Sequence, residues 1–228
     1  MMEIKRSKAR LWSKLGSRAV FGMALLDMAE RGVDFYAMSG DLVRSSGLGR
    51  FQEIFPERCI NMGIAEQNMV GVAGGMAKDG TPIFATSFAP FITMRAAEQV
   101  RMNMGYMQLN VKTVGLGSGL VMAQLGNSHF GIEDIAVMRA IPNITVVSPA
   151  DCGSIVKAVE AITHHKGPVY LRLTGGPGNP VVYSEEYDFV IGKAITLREG
   201  TDIAIVAAGT MVHTALAAAE MLGESGFS

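Results

Sequence analysis

Two spacings of apolar positions alternate along this chain, and the switches between them mark its elements. Short runs rich in β-branched and aromatic residues, bounded by Gly, Pro or Asp, read as strands: VDFYAMSGD, CIN, TPIFATS, VKTVGL, ITVVSP and PVYLRL. Between them lie stretches at helical spacing. Ser17 reads as the N-cap of a helix to about Arg31 that carries Val20, Met23, Ala24 and Leu26 and stops at Gly32. Met62, Ala65, Met69, Val72, Ala73 and Met76 form one apolar helix face. A third helix spans Ile92 to about Tyr106, with Met94, Ala97, Val100 and Met104 on one side. A short helix follows over Ile132 to Ala140. Asp151 caps a last one to about His164, before Lys166-Gly167-Pro168.

Strands that alternate with helices at this spacing predict an α/β fold: a doubly wound, mostly parallel sheet with helices on both faces. Ligands of such sheets bind beyond the carboxyl ends of the strands, where Asp41, Ser87, Phe88, Gly117 and Arg172 fall. Around this main domain, residues 16–175, three further stretches stand out. Residues 1–15 read as a polar lead with one helical turn at Leu11 and Trp12, and residues 176–200 as a Gly- and Pro-rich linker. Residues 201–228 read as a strand, a Gly-Thr turn and a helix: the incomplete beginning of a second small α/β domain. One such unit cannot bury its own faces.

Composition narrows the function classes. Of 228 residues 49% are apolar, enough for a sizeable core, and the net charge of -1 provides no field to draw in nucleic acid or a membrane surface. The basic N-terminus lacks the apolar core of a signal peptide, and no run of about 18 uncharged apolar residues offers a membrane span. Cys59 and Cys152 show no metal-ligand or redox spacing and read as small buried hydrophobes. A cytoplasmic setting is the expectation. GLGSGL at 115–120 lacks the spacing and the following acidic residue of a dinucleotide fingerprint.

One residue carries the candidate chemistry. Glu66 is the only charge before Lys78 on an otherwise apolar helix. Burial there disfavours the ionised form and predicts a raised pKa; the competing reading is a surface acid stabilising a helix N-terminus. Gly74-Gly75 within the same helix costs roughly 1 kcal/mol per glycine against alanine, and marks a close approach of another backbone.

The segment NMGIAEQNMVGVAGGMAKDGTPIFATSFAPF resembles the pyrimidine-binding domain of the transketolase family, which includes 1-deoxyxylulose-5-phosphate synthase. The resemblance runs from about Arg18 to Gly175 and extends to the start of the family's C-terminal domain after residue 200. It implies thiamine diphosphate as cofactor, with Glu66 on the glutamate that contacts the aminopyrimidine ring. Phe88 and Phe91 match the aromatic residues lining that ring, although Met94 stands where a tyrosine is frequent. By themselves the two phenylalanines read as core. Asp41 and Ser45 match an aspartate and a phosphate-binding serine, and Arg18 and Arg172 match two arginines for substrate phosphate. A guanidinium suits that task because its planar fork meets phosphate oxygens bidentately. Singly, Arg18 reads as an exposed helix residue and Arg172 as a strand-edge ion pair. His129 matches a histidine that contacts donor oxygens. Its loop departs from the family, with Leu125 for an aspartate, Asn127-Ser128 for Pro-Thr, and Gly117 near an earlier histidine.

The family's Gly-Asp-Gly…Asn motif, which holds the diphosphate and Mg²⁺, has no counterpart here, so no metal ligands are expected from this chain. The resemblance therefore implies half of a site, completed by an N-terminal, diphosphate-binding subunit in a dimer of heterodimers. The expected activity is transfer of a two-carbon ketol unit between sugar phosphates. The alternatives are a synthase of the 1-deoxyxylulose-5-phosphate type, a β-like subunit of a 2-oxoacid dehydrogenase, and a non-catalytic regulatory partner.

Overall fold

The computed structural model describes residues 2–228. The chain opens with helix α1 (Arg6–Leu15) and helix α2 (Ser17–Glu30), then strand β1 (Tyr36–Ser39). Helix α3 (Gly49–Ile54), strand β2 (Cys59–Asn61), helix α4 (Glu66–Met76) and strand β3 (Ile83–Phe88) follow. A continuous helical stretch begins with a π turn, Phe91–Arg95, passes through α5 (Ala97–Val100) and ends in a second π turn, Arg101–Tyr106. Then come β4 (Val111–Leu116), α6 (Asp134–Ala140), β5 (Thr145–Val147), α7 (Cys152–His164), β6 (Val169–Arg172) and α8 (Met211–Glu224). All six strands are parallel, in the order β2-β1-β3-β4-β6-β5. This is the doubly wound sheet the alternation of elements predicts.

The two faces of the sheet explain the strand sequences. Ala37, Phe84, Val114 and Leu171 point into one core with Trp12, Phe21 and Phe51 from the first three helices, Phe35 just before β1, and α7. Met38, Ala85, Val111 and Tyr170 point into the other, against Met69 and Val70 of α4, Ile92, Met104 and Met138. The central strands β3 and β4 are buried at every position, so they read as continuous apolar runs. Asp151 does cap α7: its carboxylate accepts from the Ser154 N–H at 2.7 Å, and the Ser154 hydroxyl oxygen accepts in return from the Asp151 N–H at 2.9 Å. Both cysteines are buried, and burial pushes their thiols up to about 11 for Cys59 and about 12 for Cys152.

Four expectations are corrected. Residues 6–15 are a full helix, because Ala9 and Trp12, one turn apart, bury against the domain. Ser17 does not cap α2; its hydroxyl donates to the Gly175 carbonyl at 2.5 Å, tying the helix start to the chain after β6. The buried face of α4 is Glu66, Met69, Val70, Ala73 and Gly74, while Val72 faces outward. Residues 202–208 form no strand: none of the six strands pairs with them, and Val206 is 94% exposed.

Candidate active site

Three adjacent strand ends meet at Glu66. The chain leaves β2, turns at Gly63 (φ 70°), and α4 begins at Glu66 itself. The side chain is 1% exposed. Its Oε1 accepts from the Ser87 hydroxyl at 2.8 Å, near the end of β3. Gly40, just past β1, lies so close that a Cβ there would sit 3.3 Å from Oε1. Oε2 accepts from Arg95 Nη1 at 2.8 Å. Burial pushes this acid's pKa up, as the sequence predicts, but the hydrogen bonds from Ser87 and Arg95 outweigh it, and the net shift is downward. The expectation of a raised value is thereby corrected: it lacked the donors.

Arg95 is the residue that sequence reasoning missed. Its guanidinium lies 4.0 Å from the centre of the Phe91 ring, an attractive cation–π position, while it holds Glu66. The signal was present in the spacing, since Phe91 and Arg95 are four apart on one helical stretch. The π turn over these residues sits at the site's edge, where such bulges concentrate.

Phe88 and Phe91 meet edge to face at 6.0 Å, and the His129 ring packs edge-on against both, at 5.4 and 5.1 Å. His129 comes from the loop between β4 and α6. Gly117 (φ 61°) and Gly119 (φ 74°) turn that loop, and the mutual bonds of Gly119 and Gly131 close its stem. The Ser128 hydroxyl lies 3.0 Å from His129 Nδ1. Thus Glu66, Phe88, Phe91 and His129 are brought together at the carboxyl edge of the sheet.

The other expected residues divide. Asp41 (φ 62°) is exposed beyond β1; its N–H donates to Asn61 Oδ1, and its carboxylate accepts from Asn61 Nδ2 at 3.0 Å. Ser45 is exposed on the same loop. Arg18, half-buried in the first turn of α2, is placed beside that loop by a backbone crossing. A Cβ on Gly47 would lie 2.2 Å from the Arg18 carbonyl oxygen, and one on Gly22 would lie 1.9 Å from that of Gly47. Arg172, by contrast, is turned inward: it pairs with the buried Asp134 at 2.8 Å and bonds to Thr174 and Gly131. The strand-edge ion pair describes it better than a free phosphate fork.

A buried acid and paired aromatic rings at the carboxyl edge of a parallel sheet define the class as an α/β domain with a candidate ligand site at that edge. Residues 13–176 match the family model for the transketolase pyrimidine binding domain, and residues 192–228 that for the transketolase C-terminal domain. The chain belongs to the transketolase family. A putative transketolase C-terminal section from Methanocaldococcus jannaschii is 40% identical over 215 residues, covering 93% of this chain and 68% of that protein. The 6-deoxy-6-sulfo-D-fructose transketolase subunit SqwH of a Clostridium species is 41% identical over 202 residues, covering 89% and 62%. A solved split gene transketolase, an inactive beta4 tetramer, superposes with a TM-score of 0.84 at 39% identity, covering 94% of this chain and 69% of that one. The chain spans about two thirds of the length of these relatives.

Proposed function

We propose that this chain is the pyrimidine-binding part of a two-chain, thiamine-diphosphate-dependent transketolase that moves a two-carbon ketol unit between sugar phosphates. The observation that carries the reading is Glu66: a carboxylate 1% exposed at the carboxyl edge of the sheet, beside two aromatic rings and a histidine. These residues fit the aminopyrimidine end of the cofactor. The acid can hold a proton against a ring nitrogen, Phe88 and Phe91 offer apolar walls, and Gly40 leaves room that a side chain would fill. Thiamine diphosphate, when bound, supplies carbanion stabilisation; the protein supplies geometry and electrostatics.

In this reading Glu66 holds the proton shared with the ring, and His129 exchanges a proton with donor oxygens. Arg18 and Ser45 receive the substrate phosphate, and Asp41 stands beside them. Mg²⁺ and the diphosphate are held mainly by an N-terminal partner subunit, in a dimer of heterodimers. Two observations support a partner: the Gly-Asp-Gly motif is missing from this sequence, and SqwH is named as a subunit. The test is co-purification with a chain carrying Gly-Asp-Gly, followed by a ketol-transfer assay with thiamine diphosphate and Mg²⁺. Transfer to an aldose phosphate is expected. A stable complex with no turnover on any ketose donor would replace this reading with that of a non-catalytic partner.

A further inference from the structure

Arg172 stands at the end of β6 with every bond directed into the protein. Nε donates to Asp134 Oδ2 at 2.8 Å, Nη1 to the Thr174 hydroxyl at 2.7 Å, and Nη2 to the Gly131 carbonyl at 3.2 Å. Asp134 is 1% exposed and opens α6; the same Oδ2 accepts from the Tyr170 hydroxyl at 2.6 Å. Two donors on one buried carboxylate oxygen are charge-assisted and strengthened by the low local dielectric. The carboxylate also neutralises the guanidinium, which leaves little positive field for a phosphate.

What this cluster grips is the stem of the His129 loop. Gly131 exchanges two backbone bonds with Gly119, at 2.7 and 3.0 Å, and the residues between them turn through two short 3-10 segments with exposed tips. Gly131 is wedged so closely that a Cβ there would lie 2.7 Å from the Ala89 methyl and 3.2 Å from Ser118 Cα. His129 is two residues from this stem.

We propose that Arg172 is a positioning residue: with Asp134 and Tyr170 it fixes the stem of the 119–131 loop and so holds His129 against Phe88 and Phe91. The functional consequence rests on the proposed role of His129, but the clamp itself belongs to the free chain and is tested there. The variants are Arg172→Met, Asp134→Asn and the milder Thr174→Val, which removes one acceptor and leaves the ion pair.

The first measurement is the NMR spectrum of the histidine ring protons in the isolated chain. In Arg172→Met and Asp134→Asn the His129 ring signals should move towards those of a solvent-exposed histidine, with a smaller shift in Thr174→Val; His164, His165 and His213 should not move. In the reconstituted two-chain enzyme, Arg172→Met should lower kcat/KM by roughly 100-fold, as a misplaced group does, and equally for phosphorylated and unphosphorylated donors. The Arg172→Met, Asp134→Asn double variant should be no worse than either single one. Unmoved His129 signals in a folded Arg172→Met or Asp134→Asn chain would overturn the proposal. So would a loss confined to phosphorylated donors. If Arg172→Met does not fold, Thr174→Val and Asp134→Asn decide by the same signals. An inactive wild-type complex would count against the proposed reaction, while the NMR result would still judge the clamp.

Discussion

At the scale of single residues, Glu66 and Arg95 carry the sharpest expectations. Glu66→Gln keeps the shape and the Ser87 contact but cannot take up a proton. Turnover of the assembled enzyme should fall by about 10²–10⁴-fold, the range for a lost acid–base group, with the melting temperature little changed. Near-normal turnover would remove Glu66 from the chemistry. Arg95→Met tests the ion pair separately. The folded pKa of Glu66 lies below its ordinary value, so the stabilisation is fully present above that value, about 4.3, and is lost as pH falls through the folded pKa. Arg95 is 43% exposed, so solvent weakens the pair and the effect is modest. Wild type should lose stability more steeply than Arg95→Met on acidification below pH about 4.3, read from melting curves; parallel curves would show that the pair contributes nothing. The acid's burial was legible because nothing else on its helix is charged. Its hydrogen-bond donors were not: Ser87 is 21 residues away and Arg95 is 29, and only the fold joins them.

At the scale of elements, the central strands could be read because β3 and β4 are buried at every position and so appear as continuous apolar runs. The misreadings fall where tertiary contact overrides local pattern. Helix α1 looked polar because only Ala9 and Trp12 are buried among its residues, and the 202–208 segment looked like a strand although no strand of the sheet pairs with it. Lys112 is a subtler case, a lysine with no exposure in the middle of the sheet. Its amine donates to Asn110 Oδ1 and to the carbonyls of His165 and Gly167, pinning the turn that leads into β6. None of these partners is a carboxylate, and burial lowers its pKa to about 7. Burial, with Lys112 as a second cause, also lowers that of His165, the nearby titrating side chain. Between pH about 7 and the unfolded lysine's value, about 10.4, the unfolded chain binds the extra proton, so stability should rise with pH across this window. In Lys112→Met that rise should disappear. An equal slope in both proteins, measured by urea unfolding at pH 7 and 9, would assign it to other groups.

At the scale of the whole molecule, the surface beside the site bears on assembly. Helix α4 packs along the 91–106 stretch: a Cβ on Gly74 would lie 2.4 Å from Asn103 Oδ1, so this glycine makes room for a side chain rather than for the close backbone its sequence suggested. Gly71 and Gly75 have nothing within 4 Å of a built Cβ and leave the outer backbone of α4 bare. Around it stand Ile64, 77% exposed, with Val72, Met94 and Tyr106 also exposed. Single exposed apolar residues are ordinary; on the two-chain reading, a group of them beside bare helix backbone is the expected contact surface. On the two-chain reading this face meets the partner. Val72→Asp adds a charge where the side chain already faces outward, so the fold should persist with an unchanged melting temperature. Burying that unpaired charge at an interface should weaken the complex by at least about tenfold and lower turnover in proportion, with recovery at high partner concentration. Sedimentation of mixed subunits distinguishes the outcomes. If Val72→Asp assembles with the partner as wild type does, the contact lies elsewhere on the chain, and the apolar face of α4 requires a different occupant.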